Sequence, residues 1–78
     1  MYNSYYKAMG SYFKEKRLSK GLTFEQVGNS LGKSKAWYYD VEKGRNKVFL
    51  KDAKALCDFF GCTLNDVQDY IDNYQTQE

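Results

Sequence analysis

The sequence contains no histidine and no proline, and it has only two cysteines, Cys57 and Cys62. Zinc sites in proteins use four ligands, mostly cysteine and histidine, so we expect no metal site, and nothing in the sequence calls for a cofactor. Histidine, a glycine-rich phosphate loop and an evident pair of carboxylates are all missing, so the lone serine and tyrosine side chains have no base to activate them. The sequence therefore argues against an enzyme.

Long apolar runs are missing as well, because the longest extend over only a few residues. A membrane-spanning helix needs about 20 apolar residues, and no signal-peptide pattern is present. We expect a cytoplasmic protein with reduced thiols, in which Cys57 lies on the apolar face of a helix as a small core residue. The absence of proline suits a chain of short helices that end at glycines.

Aromatic side chains are abundant, with eight Tyr, five Phe and one Trp in 78 residues. Each buries a large area, so even a short chain can form a core. Together with regular apolar spacing, this composition argues against disorder. We expect residues 1–78 to form a single domain.

The net charge of +2 hides an uneven distribution. Residues 1–54 contain all twelve Lys and Arg and five acidic residues, a net charge of +7. Residues 55–78 contain five acidic residues and no basic ones, a net charge of −5. A basic body with an acidic end is typical of a DNA-binding protein whose end faces away from the phosphates; a soluble surface with uneven charge is the alternative.

Glycines at positions 21, 32, 44 and 61 each follow a stretch of helical periodicity, and glycine often ends a helix. They predict an all-α fold of five helices, at about 4–20, from a cap at Thr23 to the glycine at 32, 34–43, 50–60, and from a cap at Thr63 to the C-terminus. The inward positions, spaced three and four apart, are Tyr5, Tyr6, Met9, Tyr12, Phe13, Leu18, Val27, Leu31, Tyr38, Val41, Leu50, Ala53, Leu56, Cys57, Phe60, Leu64, Val67, Tyr70, Ile71 and Tyr74.

Two of these helices are joined by a tight turn at Gly32-Lys33-Ser34. Thr23 and Gln26 match a capping box at the start of the first, and Ser34 is a helix-capping residue at the start of the second. Helices joined by so short a turn cross at a steep angle, which is the geometry of a helix-turn-helix whose second helix fits the major groove of DNA. Gly28 costs about 0.5–1 kcal/mol relative to alanine inside a helix, so we expect another helix to approach it closely.

The run from Phe13 to Val67 resembles the Cro/CI helix-turn-helix family (lambda-repressor-like, XRE). The matching segments are Arg17, GLTFEQVG at 21–28, LGKS at 31–34, VEKG at 41–44 and ALCDFFGCTLNDV at 55–67. The resemblance implies a five-helix lambda-repressor-like domain in which helices 2 and 3 form the helix-turn-helix. It also implies a structural ion pair between Arg17 and Glu42 that fixes the angle of helix 3.

Two positions depart from the family pattern. The family usually has alanine at the position of Gly28, and glycine allows the same close approach of helices. Lys33 stands where the family usually has an apolar residue. Either the turn is less well anchored, or the lysine stem lies over the core with its ammonium group exposed.

Family members read bases with the outward residues of helix 3, which here are Lys35, Ala36, Trp37, Tyr39 and Asp40. Lys35 can donate to guanine, Ala36 can touch a thymine methyl group, and Asp40 can accept from cytosine. Trp37 and Tyr39 are bulky for the groove. They either pack on sugars and methyl groups or mark a protein-binding face.

Residues around this face are the expected phosphate contacts, because basic side chains and the N–H groups at helix starts hold phosphates. They are Thr23, Phe24, Lys33, Ser34, Lys43, Arg45, Asn46, Lys47 and Lys51. For scattered lysines, solvation alone is the alternative.

Six apolar residues near the C-terminus exceed what one edge of a small core needs: Phe59, Phe60, Leu64, Val67, Tyr70 and Tyr74. Family members commonly dimerise through this region, which implies a homodimer with its two recognition helices about 34 Å apart on a pseudo-palindromic operator. The alternative is that these residues complete the core of the monomer or pack against Tyr2, Tyr5 and Tyr6.

The sequence thus predicts a small DNA-binding transcriptional regulator, a repressor or Cro-like protein that occupies a double-stranded operator. Dimerisation, concentration or a regulatory partner protein would control it. The alternative is a protein of the same fold whose main partner is another protein, such as an antirepressor or antitoxin.

Overall fold

The computed structural model describes residues 4–76, which form five α-helices and no strand. The helices are α1 Ser4–Ser19, α2 Phe24–Ser30, α3 Lys35–Lys43, α4 Leu50–Phe60 and α5 Leu64–Thr76. The prediction of an all-α, five-helix fold is confirmed, and the helix limits lie close to those expected from the glycines and caps. The expected continuation of the last helix to the C-terminus and the contact with Tyr2 lie outside the described residues.

All five helices contribute to one apolar core, and α1 packs against both α3 and α5. The aromatic rings of Phe13 in α1 and Phe60 in α4 are stacked with their centroids 6.0 Å apart. Tyr38 from α3, Leu56 from α4 and Ile71 from α5 are fully buried in the same core. The two helices of the helix-turn-helix, α2 and α3, therefore pack on the same core as the other three helices.

Two of the core predictions are wrong, because Leu18 is 58 % exposed and Leu50 is 72 % exposed. In the last turn of α1 the inward position belongs to the buried Arg17, which leaves the next residue outside. Leu50 is the first residue of α4 and lies at the edge of the core, beside a groove that Tyr5 and Leu64 also line.

Two glycines allow helices to approach within backbone contact. A Cβ atom at Gly28 would collide with the backbone carbonyl of Ser34 at the start of α3. This is the close approach expected from a glycine inside α2. A Cβ atom at Gly10 in α1 would collide with the carbonyl oxygens of Val41 and Glu42 at the end of α3. Both ends of α3 thus rest directly on another helix.

Within residues 4–76, no helix combines the length and the apolar character that crossing a lipid bilayer requires.

Candidate nucleic-acid interface

The turn between α2 and α3 has the capping that its sequence predicts. The backbone N–H of Gln26 donates to Thr23 Oγ1 at 3.1 Å, and the Thr23 N–H donates to Gln26 Oε1 at 2.8 Å, which completes the capping box. Ser34 Oγ accepts from the N–H of Trp37 at 3.0 Å. Gly32 between the helices has a φ of 70°, a value that glycine adopts without a Cβ penalty. Local sequence therefore sets both helix starts and the turn.

A buried ion pair ties α3 to α1. Arg17 Nε donates to Glu42 Oε2 at 2.7 Å, and Arg17 Nη2 donates to Glu42 Oε1 at 3.2 Å. Only 10 % of the Arg17 side chain and 3 % of the Glu42 side chain are exposed. The hydrogen bond to Glu42 raises the pKa of Arg17 above its ordinary value. The pair implied by the family resemblance is thus present, in the bidentate form that fixes the relative angle of two elements.

Two further contacts of Arg17 extend this anchor to the start of α2. Arg17 Nη1 donates to the carbonyl oxygen of Leu22 at 2.9 Å, and the guanidinium carbon lies 4.1 Å from the centroid of the Phe24 ring. Beside the pair, the Tyr38 hydroxyl donates to the carbonyl oxygen of Phe13 at 3.3 Å, and burial raises the pKa of Tyr38. One arginine therefore orders both helices of the helix-turn-helix.

The outer face of α3 carries four of the five residues predicted to contact bases. Lys35, Ala36 and Tyr39 are exposed, and Asp40 is half-buried at the edge of this face. Trp37 differs, because its side chain packs partly against the core and Lys33 Nζ lies 5.3 Å from its ring centroid. Trp37 thus lies at the margin of the face.

Tyr39 is the centre of a cluster of aromatic and basic side chains. Its ring meets the ring of Phe24 edge-on, with centroids 5.2 Å apart. Lys43 Nζ lies 5.3 Å and Arg45 Cζ 5.9 Å from the Tyr39 centroid, within the range of a cation–π contact. Arg45 Nη1 also lies 3.5 Å from Asp40 Oδ1. The sequence did not predict this cluster, although its two aromatic and two basic residues can be read from it.

Several of the predicted phosphate contacts are exposed. Thr23 and Ser34 at the helix starts are exposed, as are Lys43, Arg45, Lys47 and Lys51. Lys33 is also exposed, but its Nζ lies 3.8 Å from Asp52 Oδ2, so an acidic group on α4 anchors the turn lysine. The ammonium group of Lys33 thus lies near both this carboxylate and the Trp37 ring.

Two predicted phosphate contacts have internal partners in the described chain. Phe24 is half-buried beneath the guanidinium group of Arg17 and packs against the core. The side-chain amide of Asn46 donates to the carbonyl oxygen of Trp37 at 3.4 Å, which holds the connection after α3 against that helix. Their side chains therefore serve the scaffold of this surface, and only the backbone N–H at the start of α2 stays available at Phe24.

The prediction of an interface at the C-terminal aromatics needs correction. Phe60 and Val67 are buried in the core of the single chain and cannot reach a partner. Leu64, Tyr70 and Tyr74 are half-buried and pack against that core, because the apolar stripe of α5 faces α1. Phe59 alone among the six is exposed, at 38 %. The outer face of α5 is polar, formed by Asn65, Asp66, Asp69, Asp72 and Asn73.

Among residues 4–76, no three side chains of Cys, Asp or Glu are grouped as a metal site would need.

Two short capped helices, a tight turn and a second helix that presents its outer face define a helix-turn-helix protein. The chain belongs to the helix-turn-helix domain family, whose model matches residues 8–69. No curated protein matches the chain.

The solved structures that are similar to the chain include two of the clp gene regulator ClgR from Corynebacterium glutamicum. The first has a TM-score of 0.85 at 22 % identity and covers 94 % of this chain and 79 % of that chain. The second has a TM-score of 0.81 at 22 % identity and covers 88 % of this chain and 90 % of that one. At this identity the likeness concerns the fold.

Proposed function

We propose that this protein is a DNA-binding transcriptional regulator that recognises a specific double-stranded sequence by placing α3 in the major groove. The observation that carries the proposal is the exposed face of α3, which a buried ion pair holds in place and basic side chains surround. Membership of the helix-turn-helix domain family supports the same function. A binding protein without catalytic activity, acting as a repressor or Cro-like protein, fits this surface best.

Base recognition is assigned to the residues on the outer face of α3. Lys35 donates to guanine O6 and N7, and Ala36 contacts a thymine methyl group. Asp40 accepts from cytosine N4, while Arg45 offsets its negative charge near the phosphates. Tyr39 holds Lys43 and Arg45 beside the groove, where both contact phosphates together with Lys47 and Lys51.

The proposed assembly is a homodimer on a pseudo-palindromic operator, with its recognition helices about 34 Å apart. Phe59 is the apolar residue that supports this assembly, together with the half-buried edges of Leu64, Tyr70 and Tyr74. The net charge of −5 over residues 55–78 keeps this end of the protein away from DNA.

Selection from random duplexes, followed by titration of the selected duplex across salt concentrations, tests the proposal. We expect an enriched pseudo-palindrome and an affinity that falls steeply with salt. The Lys47→Ala variant should reduce the log–log slope by about 1, as the loss of one phosphate contact does. Lys54→Ala is the matched control, because Lys54 Nζ is already engaged by Asp58 at 2.8 Å; its slope should equal that of the wild type.

A protein-interaction module of the same fold, such as an antirepressor or antitoxin, is the second candidate. The carboxylate of Asp40 on the outer face of α3 favours it, because an acidic group is unfavourable near phosphates without a cytosine partner. Weak binding to all duplexes, with no enriched sequence, would support this second function and reject the first.

A further inference from the structure

Cys57 and Cys62 meet at the corner between α4 and α5. The backbone N–H groups of Gly61 and Cys62 both donate to the carbonyl oxygen of Cys57, at 2.8 and 2.9 Å. Gly61 between them has a φ of 77°, so the chain turns back on itself after α4. A hydrogen bond of this kind, from the sixth residue to the first, places the side chains of the two bonded residues next to each other.

The two cysteines differ in exposure. Besides burial, the nearby Cys62 side chain raises the pKa of both Cys57 and Tyr12, so these three side chains are neighbours. Both cysteines are free; Cys57 is buried and Cys62 is half-buried. Burial raises the pKa of Cys57 to about 12, so Cys57 stays a neutral thiol. A reagent from solvent therefore reaches Cys62 before it reaches Cys57.

We propose that Cys57 and Cys62 form a redox-active dithiol, a modification site that low-molecular-weight disulfides convert into an intrachain disulfide bond. Disulfide bonds need Cα atoms about 4.4–6.8 Å apart. The backbone hydrogen bond of 2.9 Å between the same two residues holds them at that order of separation.

The reaction proceeds in two exchanges. The Cys62 thiolate attacks one sulfur of the small disulfide, which forms a mixed disulfide at Cys62 and releases one thiolate. Cys57 then loses its proton to that thiolate or to water and attacks the Cys62 sulfur, which releases the second small thiol. The small disulfide gains two electrons and two protons, and the protein loses them as its two thiols become one disulfide.

Formation of the disulfide bond constrains the segment at the start of α5. Thr63 follows Cys62 directly, and its N–H donates to Asp66 Oδ2 at 3.0 Å while the Asp66 N–H donates to Thr63 Oγ1 at 3.1 Å. A disulfide at this corner fixes α5 to the end of α4. The inference is independent of the proposed DNA binding, because it rests on the two thiols alone.

Equilibration of the full chain in buffers of oxidised and reduced glutathione tests the proposal. Intact mass should show the loss of two hydrogen atoms and no added glutathione. At a fixed concentration of oxidised glutathione, the ratio of closed to reduced protein should fall with the square of the reduced glutathione concentration, because closure releases two thiols. The corresponding ratio for a mixed disulfide falls only with the first power. Cys62→Ala, which alters the half-buried residue, should show no loss of two hydrogens. A stable glutathione adduct on the wild-type chain, or unchanged thiols, would overturn the proposal.

Phenylarsine oxide gives a second measurement that needs no oxidation. It bridges two adjacent thiols with release of one water, and dithiothreitol removes it whereas monothiols do not. We expect one bridged arsenic per wild-type chain and none on Cys62→Ala. Absence of a bridged species on the folded wild type would show that the two sulfurs do not meet and would reject the dithiol.

Discussion

Arg17 connects three parts of the molecule through a single guanidinium group. It donates to Glu42 in α3 and to the carbonyl of Leu22 before α2, and it stacks on Phe24 in α2. Because the pair with Glu42 is buried, removing one partner leaves the other as a buried charge with no counter-charge. The position of α3 therefore depends on this residue pair more than on any surface charge.

Glu42→Ala should lower the free energy of unfolding by about 3 kcal/mol, because Arg17 then remains buried without its carboxylate. Chemical denaturation monitored by circular dichroism measures this change. A double-mutant cycle with Arg17→Ala should give a clear coupling energy, and additive effects of the two substitutions would contradict the expectation. Asp58→Ala, which breaks the exposed pair with Lys54, is the control and should have a much smaller effect.

Tyr70 provides a prediction for alkaline pH. Burial, and then the hydrogen bond that its hydroxyl donates to Glu15 at 2.9 Å, raise the pKa of Tyr70 from 10.0 to about 12. The folded protein thus keeps this proton where the unfolded chain has lost it. The contribution of the Tyr70 hydroxyl to the free energy of unfolding is complete below pH 10 and is lost as the pH rises towards 12.

The difference in unfolding free energy between the wild type and Tyr70→Phe should therefore shrink between pH 10 and pH 12. Urea titrations at several pH values measure it. Tyr74→Phe is the matched control from the same helix. A difference that stays constant over this range would show that the hydroxyl of Tyr70 does not keep its proton on folding.

Among the helices, the contact between α1 and α3 is the one that positions the outer face of α3. Gly10 lets the end of α3 come so close that its carbonyl oxygens occupy the space of a side chain. Close packing of this kind transmits small displacements, because interiors leave no room for added atoms. The orientation of α3 is therefore set by a backbone contact as well as by the buried ion pair.

Gly10→Ala should destabilise the protein, although alanine favours a helix by about 0.5–1 kcal/mol over glycine. The added methyl group must displace α3, and overpacking of this kind costs about 1–3 kcal/mol. Thermal unfolding measures the balance. Ser11→Ala, at the next position of α1, is the control and should leave the stability nearly unchanged. A rise in melting temperature for Gly10→Ala would contradict the close contact.

The sequence predicts elements of this fold better than contacts between them. Helix starts at Thr23 and Ser34 follow from signals within a few residues, so they are predictable and confirmed. The requirement for glycine at position 10 depends on which helix lies opposite, and residue spacing does not contain that information. The amide of Asn46 likewise bonds a carbonyl nine residues earlier, a pairing that only the folded connection creates.

The candidate surface was predictable to a similar extent. Exposure of Lys35 and Ala36 follows from helical periodicity, because Tyr38 and Val41 mark the inward side of α3. The cluster around Tyr39 was not predictable, since its ring meets a residue of α2 whose direction depends on the crossing angle. Apolar residues of α5 were ambiguous, because core and interface residues have the same chemistry.

For the whole molecule, the proposed homodimer needs an exposed apolar side chain that can join two copies. Phe49 is 74 % exposed and Phe59 is 38 % exposed, at opposite ends of α4. The proposed homodimer uses the end that lies in the acidic part of the chain, because the other end adjoins the basic connection after α3.

Phe59→Ser should therefore shift the protein towards monomer and weaken binding to a pseudo-palindrome more than to a half-site. Sedimentation velocity and titration of both duplexes measure the two effects. Phe49→Ser is the matched control and should leave the oligomeric state unchanged. The reverse result would place the contact at the start of α4, and a monomeric wild type would reject the proposed dimer.

The division of α3 into a buried side and an exposed side has a consequence for how such a protein evolves. Tyr38, Val41 and Glu42 are buried, whereas Lys35 and Ala36 lie outside the core. Under the proposed function, a duplicated gene can acquire a new operator through single codon changes at positions 35 and 36, with the fold preserved. Partner choice in this molecule can thus diverge much faster than its architecture.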